Sequence, residues 1–375
     1  MRVAVKILSY SSVVLGLAMI LWDLSTMYVP RILNLSFGFC LLGSLITGIY
    51  QQGLALFVFK RFASSVVTLF VIATATFLML RLLPGGPFDD EKALAPHIKK
   101  NIEAKYGLHL PLHQQYYNHM SGLLTGNLGY SYKYEGREVS DIIKDAFPVS
   151  FKLGFYALML SFLIGVPLGL LAAARHGTSV DSVAMIIAIS GISLPSFLMA
   201  PILIYIFSFG WPLDILAPSV HQRLLDWNVL LPAALWHSPA HYILPVLTLG
   251  VRPSAFIARL TRSSVLDVIQ SDFVRTARAK GLSEKVVLYQ HVLRNSLIPV
   301  LTYSGPLVAG ILSGSFVVEI IFAIPGIAKY FVQGVFNRDY PLIMALTLLF
   351  SVMLILANLI VDILYKVIDP RIEVS

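Results

Sequence analysis

Apolar runs of spanning length, separated by polar breaks, set the plan of this chain. A helix needs about 20 apolar residues to cross a bilayer. Runs near that length occupy residues 7–29, 32–50, 62–83, 149–174, 183–209, 300–324 and 342–367, and residues 242–251 open another that reaches toward Arg259. The pattern predicts eight membrane-spanning helices. Two polar stretches are too long to be simple turns. The first, residues 88–147, follows the helix-ending Pro84-Gly85-Gly86-Pro87. Within it, residues 95–106 and 112–124 read as short helices separated by Gly107 and Pro111, and Tyr116, Tyr117, Tyr130, Tyr132 and Tyr134 give it an aromatic character. The second is residues 252–299.

Charge settles which stretch faces which side. Arg252, Arg259, Arg262, Arg275, Arg278, Lys280, Lys285 and Arg294 fall in residues 252–299, against only Asp267, Asp272 and Glu284. Lys and Arg resist translocation, so a basic loop between spans belongs in the cytoplasm. With eight spans, both termini then lie inside, and residues 88–147 and 210–239 lie outside. Residues 210–239 carry Trp211, Trp227 and Trp236, a residue type suited to the membrane interface. The chain is 57% hydrophobic and 13% charged. Soluble domains run at about 25% charged residues, so a polytopic membrane protein is expected. The net charge of +8 reads as topology and not as nucleic-acid binding. Arg2 and Lys6 ahead of an apolar run read as an uncleaved anchor.

The local design of the basic stretch predicts a rigid elbow. Val265, Ile269 and Phe273 recur every fourth residue, as an apolar helix stripe does. Gly281 suits a left-handed helix end, and Arg278 and Lys280 complement the dipole there. Ser283 is placed to cap a second helix with Glu284 in its first turn, and Leu282 and Val287 stand at the staple positions. Val286, Tyr289, Leu293 and Leu297 predict the buried stripe of that second helix, up to Pro299.

Other residues invite chemistry less strongly. Residues 183–209 hold Ser190, Ser193, Pro195, Ser196 and Pro201, a kink that could line a pathway or simply pack. Glu319 and Asp362 are acids within spans, read as pathway or packing sites. Gly165-x-x-x-Gly169 and Gly310-x-x-x-Gly314 have the spacing for close helix approach. Cys40 stands alone, which excludes an intramolecular disulfide. His237 and His241 lack the glutamate of a zinc helix, so no metal site is expected. No phosphate-binding glycine loop precedes a Lys-Ser/Thr pair, so the chain is expected to hold no ATP and no cofactor of its own.

The string Arg275-Thr276-Ala277-Arg278-Ala279-Lys280-Gly281-Leu282 resembles the ATPase-docking loop of ABC importer permeases, in the form carried by peptide-uptake systems. The wider pattern has Glu-Ala-Ala, three residues, then Gly. Here Arg275 and Thr276 replace its first two positions, while Ala277 and Gly281 match. Further strings carry the resemblance along the chain: LPGGPF at residues 83–88, NIEAKYGL at 101–108, FPVS at 147–150, LPSF at 194–197, IPGI at 324–327 and NRDY at 337–340. From about Leu54 to Ile372 the order of features is similar to the B-type membrane subunit of oligopeptide ABC permeases.

That resemblance implies an all-α type I ABC importer transmembrane domain: a six-span family unit, an added two-span hairpin and an extracytoplasmic helical insertion. The division expected is an extension at 1–53, a first family helix at 54–87, the outer subdomain at 88–146, the transmembrane domain at 147–368 and a tail at 369–375. The implied partners are a second homologous permease, two cytoplasmic ATPases holding ATP and Mg, and an extracytoplasmic peptide-binding protein. Membrane lipid and a peptide substrate complete the set, in a bacterial inner membrane. Dipeptide, nickel-chelate and antibiotic-peptide permeases share the architecture. A stand-alone secondary transporter would need charges near span midpoints and inverted halves.

Overall fold

The computed structural model describes residues 54–83, 85–88, 96–209, 219, 231–312 and 316–368. The expected N-terminal hairpin and the C-terminal tail lie outside the described residues. The chain divides into two units, residues 1–68 and 69–375. The described part of the first is the start of helix α1 (Leu54–Leu82). All further contacts below belong to the second.

Two short helices follow α1, namely α2 (Pro96–Lys105) and α3 (Leu112–Thr125), within a residue or two of the sequence expectation. Helix α4 (Val139–Ala174) is longer than expected, because it starts ten residues ahead of its apolar run. Its first turns bury Val139, Ile142 and Ala146 against Ile327, Leu342, Ala345 and Leu346. Asp141, Lys144 and Asp145 occupy the other face, and those charges disguised helix as outer loop.

The expected span at 183–209 is two helices, α5 (Ser179–Ser193) and α6 (Ser196–Phe207), bent by 107°. Pro195 biases Leu194 toward extended backbone (ψ 117°) and then occupies the N-cap of α6. The sequence suggested a kink; the structure has a break.

Helix α7 (Ala240–Ile269) runs unbroken through Arg252, Arg259 and Arg262. The basic stretch therefore begins as helix, and the loop proper starts only at Gln270. Then come α8 (Asp272–Ala279), α9 (Glu284–Val286), a π turn at Val287–Val292 and α10 (Leu293–Ser296). The expected span at 300–324 is represented by α11 (Ile298–Leu312) and α12 (Phe316–Ile321), and α13 (Ala328–Phe336) and α14 (Tyr340–Ile368) complete the chain. Among the described residues, four helices are long and apolar enough to cross a bilayer, or five if α5 and α6 form one span.

Helices α4 and α7 form the central pair. A methyl group added at Gly165 would lie 2.6 Å from the Ser254 carbonyl, and one at Gly250 2.9 Å from that of Ala157. One at Gly169 would collide with the Ala258 carbonyl. Ser161 Oγ donates across the seam to the Gly250 carbonyl at 2.9 Å. Small residues thus let two backbones touch, which is how helices associate where lipid supplies no hydrophobic drive. In the second spacing a methyl group at Gly310 would meet open space, and Gly314 lies outside the described residues.

Candidate functional site

The elbow hangs from the end of α7. Ser271 takes the extended cap conformation (ψ 153°) and α8 begins at Asp272. Val274 and Ala277 point inward and join Val265, Val287 and Val292, with Leu170 and Ala173 from the end of α4. Phe273 is 45% exposed, so the stripe expected from Val265 and Ile269 does not continue through it. The break at Ser271 shifts the buried register from Phe273 to Val274.

Helix α8 ends in a Schellman motif. Gly281 has φ +76°. Its N–H donates to the Arg278 carbonyl at 2.9 Å and the Leu282 N–H to that of Ala277 at 3.4 Å. Glycine, lacking a Cβ, holds such a φ without steric cost. Arg278 does more than complement a dipole. Its Nε donates to Glu284 Oε1 at 2.8 Å and its Nη2 to Oε2 at 3.1 Å, a bidentate clasp across the glycine turn. The clasp holds the Glu284 carboxyl below the usual carboxylate range. Ser283 occupies the cap position, but its side chain makes no cap hydrogen bond.

The second helix also departs from its expected stripe. Residues 287–292 wind as a π turn, so Val287 and Val292, five residues apart, both bury, while Tyr289 is 60% exposed. A 3.6-residue period cannot find that pair. Of the expected coupling residues, Ala277 is buried, and Arg275, Thr276, Arg278, Ala279, Lys280, Gly281 and Leu282 are exposed. The arrangement is a short helix rooted by two small apolar side chains, with a cationic outer face on a pinned turn.

A polar cluster near the end of α4 was not foreseen. Asp181, 5% exposed in the first turn of α5, accepts from Arg262 Nε at 2.6 Å and from Nη2 at 2.7 Å. It also accepts from the Gly177 N–H at 3.1 Å, and His176 Nδ1 lies 3.0 Å away. The pair ties the start of α5 to α7 less than three turns ahead of α8. Arg262 was visible only as one more basic residue, and its partner lies 81 positions away.

The pathway candidates do not converge on one site. Ser190 and Ser193 are exposed, and their hydroxyls donate to the Ile186 and Ile189 carbonyls of their own helix, each at 2.8 Å. Pro195 and half-buried Ser196 sit at the α5–α6 break. Glu319 is 1% exposed, and its Oε2 accepts from the Ala328 N–H at 2.9 Å, capping α13. Ser150 Oγ of α4 accepts from the Ile327 N–H at 2.8 Å. Any side chain at Gly326 would collide with the Glu319 carboxylate and Ser150. Glu319, Ser150 and Gly326 therefore fasten the 322–327 turn to α4. Asp362 is half-buried far along α14, 22 residues beyond Tyr340, or about 33 Å at the rise of an α-helix.

The outer segment is organised by Asp339, fully buried at the start of α14. It accepts from Ser131 Oγ and from the Tyr132 N–H, the latter at 3.1 Å. Tyr132 packs on Tyr106, Phe88 and Tyr340, and burial pushes its phenol up to about 12. Most of the tyrosine signal is thus packing, although Tyr117 and Tyr130 remain exposed. Among the described residues, no cluster of three His, Cys, Asp or Glu side chains is set for a metal.

Two family models cover this architecture. Residues 165–374 match the inner membrane component of binding-protein-dependent transport systems, and residues 54–154 match the N-terminal region of such membrane components. The chain is 43% identical over 320 residues to the dipeptide transport system permease protein DppB of Bacillus subtilis, covering 85% of this chain and 98% of that one. It is 42% identical over 319 residues to the oligopeptide transport system permease protein OppB of Haemophilus influenzae, covering 84% and 99%. A solved structure of the MetNI methionine ABC transporter, inward facing, aligns with a TM-score of 0.45 and 14% identity over 60% of this chain and 96% of that one. The chain belongs to the inner membrane component family of binding-protein-dependent transport systems and is the membrane-spanning component of such a system, not the ATPase.

Proposed function

We propose that this chain is the pore-forming permease of an ATP-driven importer of oligopeptides, with dipeptides as the alternative cargo. The observation that carries the peptide-permease reading is the 42% identity with OppB across 99% of that protein's length, beside 43% with DppB across 98%. In this reading a second homologous permease completes the pore. Two cytoplasmic ATPases hold the ATP and Mg, and an extracytoplasmic binding protein delivers peptide. The protein sits in a bacterial inner membrane with both termini cytoplasmic.

The proposed coupling part is the elbow, with Arg275, Thr276, Arg278, Ala279, Lys280 and Leu282 as the surface that an ATPase grips. Support comes from its exposed cationic face and from its rigid mounting. Closure of the ATPases displaces α8, and Val274 and Ala277 pass that displacement to the ends of α4 and α7. The central seam moves the two helices together, and Arg262 carries α5 with them through Asp181. Glu319 and Ser150 keep the 322–327 turn fixed on α4, so the far end moves as a unit with the near end.

The test is peptide uptake by vesicles containing the complete transporter. Gly281→Trp places a bulky side chain where φ is +76°. It is expected to abolish uptake while membrane insertion persists. Unchanged uptake by an inserted Gly281→Trp protein removes the coupling role. Uptake that persists without any ATPase removes the ATP-driven reading.

A further inference from the structure

We propose that the groove between the end of α4 and the start of α5 is a binding site for an anionic phospholipid. It is a cavity of about 290 Å³ lined by Leu168, Leu171, Val180, Val183, Ala184 and Ile187, with Ser179 at the turn end. Its walls are apolar and open, with Leu171 45%, Val183 54% and Ile187 58% exposed. Both walls belong to apolar helices of spanning or near-spanning character, and a face of that kind left open in the membrane is filled by acyl chain. The inference requires only that the chain spans a bilayer, and it does not depend on the cargo.

Charge selects the kind of lipid. The turn that joins the two walls, residues 175–178, runs between Leu171 and Ser179 of the lining and carries Arg175, one helical turn beyond Leu171. Its backbone is fixed, since the Arg175 N–H donates to the Leu171 carbonyl at 3.1 Å and the Arg175 carbonyl accepts from Thr178 Oγ1 at 2.7 Å. Arg175 as a residue is exposed. The ion pairs at this end go to His176, Arg262, Arg275 and Arg278, and among the described residues none goes to Arg175. Asp181, the acid nearest in sequence, has its charge matched by the bidentate Arg262. A net positive charge thus stands where an apolar groove meets the interface. That combination suits a phosphate headgroup with its acyl chain lying along α5, as basic pockets between membrane helices do generally.

The test uses the complete transporter in lipid nanodiscs, with phosphatidylglycerol or phosphatidylcholine bearing the same photoreactive acyl chain. The site of attachment is then mapped on this chain. Phosphatidylglycerol should label residues 168–187 roughly fivefold more than phosphatidylcholine, the ratio expected for one matched charge at the membrane surface. Arg175→Gln should bring the two lipids level, and Val183→Trp, which fills the groove from an exposed position, should reduce labelling by both. Inorganic phosphate should not compete. Equal labelling by the two lipids, indifference to Arg175→Gln, or displacement by inorganic phosphate overturns the proposal. So does the absence of groove labelling in the assembled transporter, which would mean that protein covers the site.

Discussion

Ala277 and Glu319 show how differently single residues could be read in advance. Ala277 kept its place in a recognisable string, and it is the buried root of the exposed elbow. Enlarging it forces Val265, Val287 and Val292 apart. Ala277→Leu is expected to lower the stability of the elbow by about 1–3 kcal/mol, the usual cost of overpacking. Exposed Ala279→Leu should leave it unchanged. Limited proteolysis at residues 270–300 measures both. Glu319 looked from sequence like a charge in a span, equally suited to a pathway or to packing. Its partners, Ser150 and Ala328, lie 169 residues upstream and nine downstream in a turn, so no local pattern could reveal a cap. If its work is capping, Glu319→Gln keeps an acceptor for the Ala328 N–H and should transport normally. Glu319→Ala leaves buried donors unpaired, at about 1–3 kcal/mol, and should melt early. Transport lost equally in both variants, with unchanged melting, would instead assign the charge to the pathway.

At the scale of elements, periodicity served where a helix is regular and failed where it is not. The helices at 96–105 and 112–125 were legible because Gly107 and Pro111 separate them. The glycine turn after α8 was legible because few residues tolerate a left-handed φ. The π turn at Val287–Val292 was not, since one extra residue per turn moves the buried set off the 3.6 period. The start of α4 was lost because charges on one face outweighed the Val139-Ile142-Ala146 stripe on the other. The Asp181–Arg262 pair was lost because it joins helices distant in sequence. That pair yields a prediction of its own. Asp181→Asn or Arg262→Gln alone strands one charge at the α5–α7 junction, at up to about 3 kcal/mol. The swap Asp181→Arg with Arg262→Asp should recover part of the loss in thermal denaturation of the purified complex. No recovery in the double variant would mean that geometry matters there more than charge.

For the whole molecule, family and fold were legible because they rest on strings spread over most of the chain, and matches to residues 54–154 and 165–374 bear out the resemblance. What the strings do not encode is mechanical connection. The seam of Gly165, Gly169 and Gly250, the clasp of Arg278 and Glu284, and the cap of Glu319 join elements that a linear pattern treats as separate. Together they make a stiff path from the elbow to the 322–327 turn, and the proposed coupling requires such a path. The claim at its centre is that the outer face of α8 is reached from the cell interior. A cysteine placed at Thr276, in a chain whose Cys40 is replaced by serine, can be probed with a membrane-impermeant maleimide in inverted and right-side-out vesicles. The account predicts labelling only in inverted vesicles, and its suppression once the ATPases are bound. Labelling in right-side-out vesicles would contradict it.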